Sequence, residues 1–141
     1  MEAMLSRLFT RAGRRRRAAA VVEFAIVSPL LFTMLFGIIE YGWVFTIKQT
    51  LTNAAREGCR TATLEGSTDT QIRSNVTAYL GATGLKSVDY TIGLTHATTG
   101  NPIEKVTITV PYAKVSLLGG FFGSTDWSLG ATCTMRKEGM S

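Results

Sequence analysis

The distribution of apolar and polar positions divides the chain into two regimes. Residues 18–47, AAAVVEFAIVSPLLFTMLFGIIEYGWVFTI, carry two charges, Glu23 and Glu40, separated by 16 uncharged residues. From Ala18 to Ile39 there are 22 residues with one carboxylate. As a helix this run is about 33 Å long, which matches a hydrocarbon core of roughly 30 Å. A buried helix of a soluble protein is rarely apolar around its whole circumference, so the pattern predicts a membrane-spanning helix. Pro29 lies inside the span and predicts a mild kink there.

The helical period continues past the span. Ile47, Leu51, Ala54, Ala55, Gly58, Cys59 and Ala62 recur on one face, with Lys48, Gln49, Thr52, Asn53, Arg56 and Arg60 on the other. One helix from about 18 to 64 follows, ended by Glu65-Gly66-Ser67 with Gly66 as its C-terminal cap. Thr68 or Asp69 then caps a shorter helix over 69–81, with Ile72, Val76, Tyr79 and Leu80 on one side and Gly81 and Gly84 closing it. After that the period changes to two. Val88, Tyr90, Ile92 and Leu94 alternate with polar residues; HATTGN forms a turn; Val106, Ile108, Val110 and Tyr112 alternate again; Trp127, Leu129, Ala131, Cys133 and Met135 make the last run. These predict strands over about 87–95, 103–112 and 126–136. Three strands with one apolar face need a cover, and the small-residue stripe of the long helix supplies it. The expected fold is α+β, a long N-terminal helix packed on a three- to four-stranded antiparallel sheet with one extra short helix. LLGGFFG (117–123) reads equally as an exposed contact surface or as a loop tucked under the sheet.

Charge fixes the orientation. The first 17 residues hold six arginines and one acid, so they account for the entire net charge of +5; nine bases and nine acids cancel in the rest. The basic balance therefore belongs to a short arm. It argues against a nucleic-acid partner, which would require basic charge spread over a folded face. Arg14, Arg15, Arg16 and Arg17 anchor the N-terminus on the cytoplasmic side, which sends residues 48–141 to the other side. Tyr41, Trp43 and Phe45 fall at the far membrane surface, where aromatic residues are expected. A cleaved secretory signal is disfavoured, because the bulky segment EYGWVFTIKQT follows the apolar run where a small-x-small site would be needed.

Cys59 lies on the apolar stripe of the helix and Cys133 on the inward face of the last strand, so helix-on-sheet packing points both into one interface. In an oxidising compartment the expectation is a disulfide, contributing about 4 kcal/mol on the chain-entropy argument; two separate buried thiols are the alternative. No metal site is expected from two cysteines, one distant histidine and no CxxC. No cofactor and no catalysis are expected either. His96 reads as a solvated turn residue, the carboxylates are scattered, and LLGGFFG lacks the lysine and hydroxyl of a phosphate loop. Glu23 is the unusual group: a carboxylate in the apolar run costs about 2.5–3.5 kcal/mol at mid-membrane and less near an edge. It is either stabilised by the helix N-terminus and partly snorkelled, or an interaction site seeking a cation.

Residues 14–62 resemble the TadE-like pseudopilins of tight-adherence (Flp-type) pilus systems. The resemblance is carried by the basic leader, the small residues after it, Val22-Glu23-Phe24-Ala25, Pro29, Phe36-Gly37, Glu40-Tyr41-Gly42 and Asn53-Ala54-Ala55-Arg56-Glu57-Gly58. It covers about a third of the chain and implies a type IV pilin-like protein: a cytoplasmic leader (1–18) removed by a prepilin peptidase, a transmembrane helix (19–47) and an extracytoplasmic domain (48–141). The implied cut is between Ala18 and Ala19, which makes Glu23 the fifth residue of the mature chain; the family usually has glycine where Ala18 stands. Glu23 and Phe24 are the implied contacts to other pilin and pseudopilin subunits. Inner-membrane pilus platform proteins and membrane lipid are the other implied partners. The 94 residues after the span exceed what the very short major Flp pilin carries, so the expected role is that of a minor pseudopilin in assembly initiation, tip or base. The competing expectation is an uncleaved single-pass anchor whose outer domain binds the pilus or secretion machinery.

Overall fold

The computed structural model describes residues 2–86, 89–121, 123 and 126–137, with side chains from residue 18 onward. Its elements are α1 (Glu2–Thr63), α2 (Asp69–Ala82), β1 (Thr91–Thr95), β2 (Ile103–Pro111), a 3-10 turn (Tyr112–Lys114) and β3 (Ser128–Arg136). The fold is α+β, with one three-stranded antiparallel sheet in the order β1-β2-β3. The chain divides into two compact units, Met1–Ile39 and Glu40–Ser141.

In the first unit, α1 runs unbroken through Pro29, and Thr33 Oγ1 donates to the Pro29 carbonyl at 2.7 Å. Val21, Phe24, Ile26, Leu30, Met34 and Ile38 are all exposed. The helix is long and apolar enough to cross a membrane, and no part of its most apolar stretch is buried within the protein. Burial in lipid accounts for such a surface; burial in water would not.

The second unit begins at Glu40, eight residues before the expected outer domain at 48. The reason is packing: Glu40 and Ile47 are buried and Val44 joins the same core. Ile47, Leu51, Ala54, Ala55, Cys59 and Ala62 of α1 meet Ile72, Val76 and Leu80 of α2 and the inner face of the sheet. Small residues on the α1 stripe let three elements approach closely. A methyl placed on Gly58 would lie 2.7 Å from Val76 Cγ2 and 3.2 Å from Val106 Cγ1, so glycine is what lets α1 sit at the junction of α2 and β2.

Helix ends follow local chemistry. Gly66, at φ +77°, turns the chain after α1. Thr68 is the N-cap of α2, in a reciprocal capping box with Gln71. Asn75 Nδ2 donates to Thr61 Oγ1 at 3.0 Å and Arg73 to the Ile92 carbonyl at 2.9 Å, which ties α2 to α1 and to β1. Inner-face residues of β2 are Glu104, Val106, Ile108 and Val110. β1 starts at Thr91, later than expected; Ser87 and Val88, assigned to its beginning from the sequence, lie outside the described residues. β2 stops at Pro111, because Tyr112 enters the 3-10 turn that redirects the chain.

Candidate functional site

Three places in the molecule hold chemistry that the packing alone does not require. On the first unit, Ala18 and Ala19 lie within α1 and are exposed, as are Glu23 and Phe24 one turn later. Phe24 is 65% exposed. Among the described residues Glu23 has no hydrogen-bond or ion-pair partner. The side chains of Arg14, Arg15, Arg16 and Arg17 lie outside the described residues. An exposed carboxylate and an adjacent exposed ring, on a helix that is apolar all round, can serve contacts to another helix in the bilayer.

The second place is a carboxylate latch that sequence reasoning missed. Glu40 is 5% exposed. Its Oε1 accepts from the Tyr112 hydroxyl at 2.6 Å, and its Oε2 from the backbone N–H groups of Leu117 at 3.1 Å and Leu118 at 3.2 Å. Trp43 Nε1 donates to the Val115 carbonyl at 2.7 Å, one turn further along α1. Tyr112 stacks on Trp127 with ring centroids 4.3 Å apart, and its N–H donates to the Trp127 carbonyl at 2.9 Å. Because its proton is shared with an anion, the Tyr112 hydroxyl titrates above the ordinary phenol range. The arrangement satisfies a buried charge completely and fixes the segment after β2 to the start of the second unit. A signal existed: residues 40, 44, 47, 51, 54 and 58 form one helical stripe, and a glutamate on that stripe must be buried with partners.

The third place is the cysteine pair. Cys59 is fully buried, Cys133 is half-buried, and the structure holds both as thiols. They belong to one core: Cys133 sits opposite Val106 in the sheet and packs against the cluster that contains Cys59. Burial first, and the neighbouring thiol second, push the Cys59 thiol up to about 12 from 9.0.

His96 is exposed in the β1–β2 connection, as expected, and also has two carboxylate neighbours that the sequence did not indicate. Its Nε2 lies 3.0 Å from Asp69 Oδ1 and its Nδ1 3.2 Å from Glu104 Oε2, while Lys137 Nζ reaches Glu104 Oε1 at 3.2 Å. Glu104 is buried on the inner face of β2, in phase with Val106, and the cluster neutralises it. Sequence alternation assigned that position no role. Both imidazole nitrogens are committed to different carboxylates, which makes this a structural tie between the β1–β2 connection and the start of α2. Among the described residues no group of histidine, cysteine and carboxylate side chains could hold a metal ion.

Residues 18–60 match the family model described as TadE-like protein. The matched segment runs from the expected cleavage position, through Glu23, Glu40 and Gly58, to just past Cys59 on the stripe that packs on the sheet. No curated protein and no solved structure matches the chain.

Proposed function

We propose that the protein is a minor pseudopilin of a tight-adherence (Flp-type) pilus, acting in assembly initiation or in the tip or base of the fibre, and not an enzyme. The observation that carries this reading is the TadE-like match over 18–60, which contains both Glu23 and the apolar span. In this reading the chain inserts in a bacterial inner membrane with Arg14–Arg17 cytoplasmic and the second unit periplasmic or extracellular. A prepilin peptidase hydrolyses the Ala18–Ala19 bond, which removes all six leader arginines and creates an α-amine at Ala19. The charge that pins the helix is then gone, and the freed amine is a cation of the kind an intramembrane carboxylate requires. Glu23 and Phe24 face neighbouring pilin and pseudopilin subunits, and platform proteins of the inner membrane receive the helix.

N-terminal sequencing of the protein recovered from its native membrane, with and without the host's prepilin peptidase, tests the proposal. A chain starting at Ala19 only when the peptidase is present is the expected result. Ala18, where the family usually has glycine, favours a second reading, an uncleaved single-pass anchor for the pilus or secretion machinery. A chain that keeps its leader in both strains would establish that reading and remove the first.

Cys59 and Cys133 form a disulfide in the exported protein, in this same reading: two thiols give up two electrons and two protons to a disulfide donor of the cell envelope. The thiol form carries a group with a raised folded-state pKa. Its contribution to stability is complete below pH 9 and lost as pH rises through about 12, whereas the disulfide form has no such group. Protein isolated without reductant should resist alkylation of both cysteines after denaturation. After reduction it should become less stable by about 4 kcal/mol and sensitive to alkaline pH. Complete alkylation of the unreduced, denatured protein would show that the bond does not form.

A further inference from the structure

The described residues between Ser116 and Trp127 combine two properties that rarely occur together. Several of them are held by hydrogen bonds or ring stacking. Glu40 binds the Leu117 and Leu118 amides, Gly120 N–H donates to Ser116 Oγ at 3.4 Å, and Trp127 is clamped against Tyr112. Gly119 and Gly120 take positive φ, 59° and 85°, which turns the chain back within four residues. Yet three of their large apolar side chains are exposed: Leu117 54%, Phe121 66% and Trp127 47%. Tyr41, on the neighbouring turn of α1, is 74% exposed. A loop fixed at this many points could bury these groups by tucking under the sheet. It holds them out instead.

The position of this patch identifies what covers it. Glu40 is joined by one peptide bond to Ile39, where the run of 16 uncharged residues ends. The groups bonded to its carboxylate are therefore tied to the first residue that follows that run in the chain. Leucine and phenylalanine beside tryptophan and tyrosine is the composition of a segment seated in the headgroup and upper acyl region of a bilayer. Lysine supplies the matching charge at the rim: Lys114 is exposed, and Lys48 bonds the Gly130 carbonyl beside Trp127. The geometry points to a lipid-docking foot: Leu117, Phe121 and Trp127, presented by the Glu40 latch, insert into the outer-leaflet interface of the membrane that α1 spans. This assignment does not depend on leader cleavage or on pilus assembly. It gives Glu40 a purpose in the free membrane protein, which is to hold the Leu117 and Leu118 backbone so that the apolar groups beside it meet the membrane at one depth.

The test uses the full-length protein, one copy per lipid nanodisc of phosphatidylcholine and phosphatidylglycerol, so that both faces are open to solvent and no second copy is present. Trp43→Phe leaves Trp127 as the only tryptophan. Its emission should be quenched by lipids brominated near the headgroup end of the acyl chain, less by lipids brominated near the bilayer centre, and only weakly by aqueous iodide. Adding Leu117→Ser and Phe121→Ser, both at exposed positions, should raise iodide quenching severalfold and abolish bromolipid quenching. If Trp43→Phe does not fold, the same comparison between the unaltered protein and the double serine variant carries the result, since Trp43 is common to both. Free access of iodide to Trp127 with no bromolipid quenching overturns the assignment. So does shielding from iodide that appears only in discs holding two copies, which would make the patch a subunit contact.

Discussion

Glu40→Ala is expected to destabilise the Glu40–Ser141 unit by about 3 kcal/mol. The carboxylate takes three hydrogen bonds, from the Tyr112 hydroxyl and the Leu117 and Leu118 amides. A hydrogen bond to a charged group contributes about 1.5–3 kcal/mol, and the truncation removes all three while leaving a buried phenol without an acceptor. The losses do not add fully, because water reaches the loop amides once the segment loosens. Tyr112→Phe removes one bond and leaves the carboxylate with two amides, so it should cost about 1.5 kcal/mol. Glu40→Gln keeps an acceptor for only part of the set and should fall between the two. Denaturant unfolding of the full chain in detergent, followed by tryptophan emission, measures all three, because Trp127 stacks on Tyr112 and Trp43 bonds the Val115 carbonyl. Amide exchange at Leu117 and Leu118 should accelerate in the alanine variant before global unfolding. An alanine variant with the wild-type unfolding midpoint and unchanged exchange would show that the carboxylate contributes nothing.

Periodicity proved sufficient for most of the frame. The apolar stripe from Ile47 to Ala62 and the alternation of Val106, Ile108 and Val110 are local signals and appear in the structure as read, and of the two caps offered for the second helix, Thr68 and Asp69, the structure takes Thr68. The polar groups of the interior were not legible in the same way. Glu40 and Glu104 sit on inward positions that a hydrophobic pattern assigns to apolar residues, so the pattern discounts them. Their partners lie far along the chain: Tyr112 is 72 residues from Glu40 and Lys137 is 33 from Glu104. A burial pattern reports that such a residue needs a partner and not which one. The partners of His96 were hidden for the same reason: it is an exposed residue of the β1–β2 connection, as read, but its bonded neighbours are Asp69 and Glu104. The loop 117–123 was ambiguous because its composition fits either burial or exposure. In the structure Leu117 and Phe121 are exposed, and the Leu117 and Leu118 amides are bonded to Glu40, a partner that composition does not reveal.

Glu23→Gln should reduce incorporation of the protein into assembled pili by about a hundredfold while leaving membrane insertion unchanged. The reasoning begins from cost. A carboxylate costs about 2.5–3.5 kcal/mol at mid-bilayer and less toward an edge, and a cation from a neighbouring subunit would recover that cost for an exposed carboxylate on a lipid-facing helix. Once residues 1–18 are removed, no arginine remains on the N-terminal side of Glu23, and the nearest new cation is an Ala19 amine. Supplied by the next subunit, that amine neutralises the acid and is itself neutralised, which in low dielectric is far cheaper than two separate charges. If the pair contributes about 3 kcal/mol to docking, its loss is a factor of about a hundred in occupancy. Glutamine preserves shape and removes the charge, so insertion of α1, which depends on the apolar run, should not change. Immunoblots of sheared pili against the membrane pool give the ratio. N-terminal sequencing of the membrane pool separates the docking effect from a processing defect, since a variant that is still cut at Ala18–Ala19 and yet absent from pili has lost the pair and nothing earlier. Wild-type incorporation of the glutamine variant would mean that Glu23 is stabilised within its own helix, and the recognition of one subunit by the next would then have to rest on Phe24 and the apolar face around it.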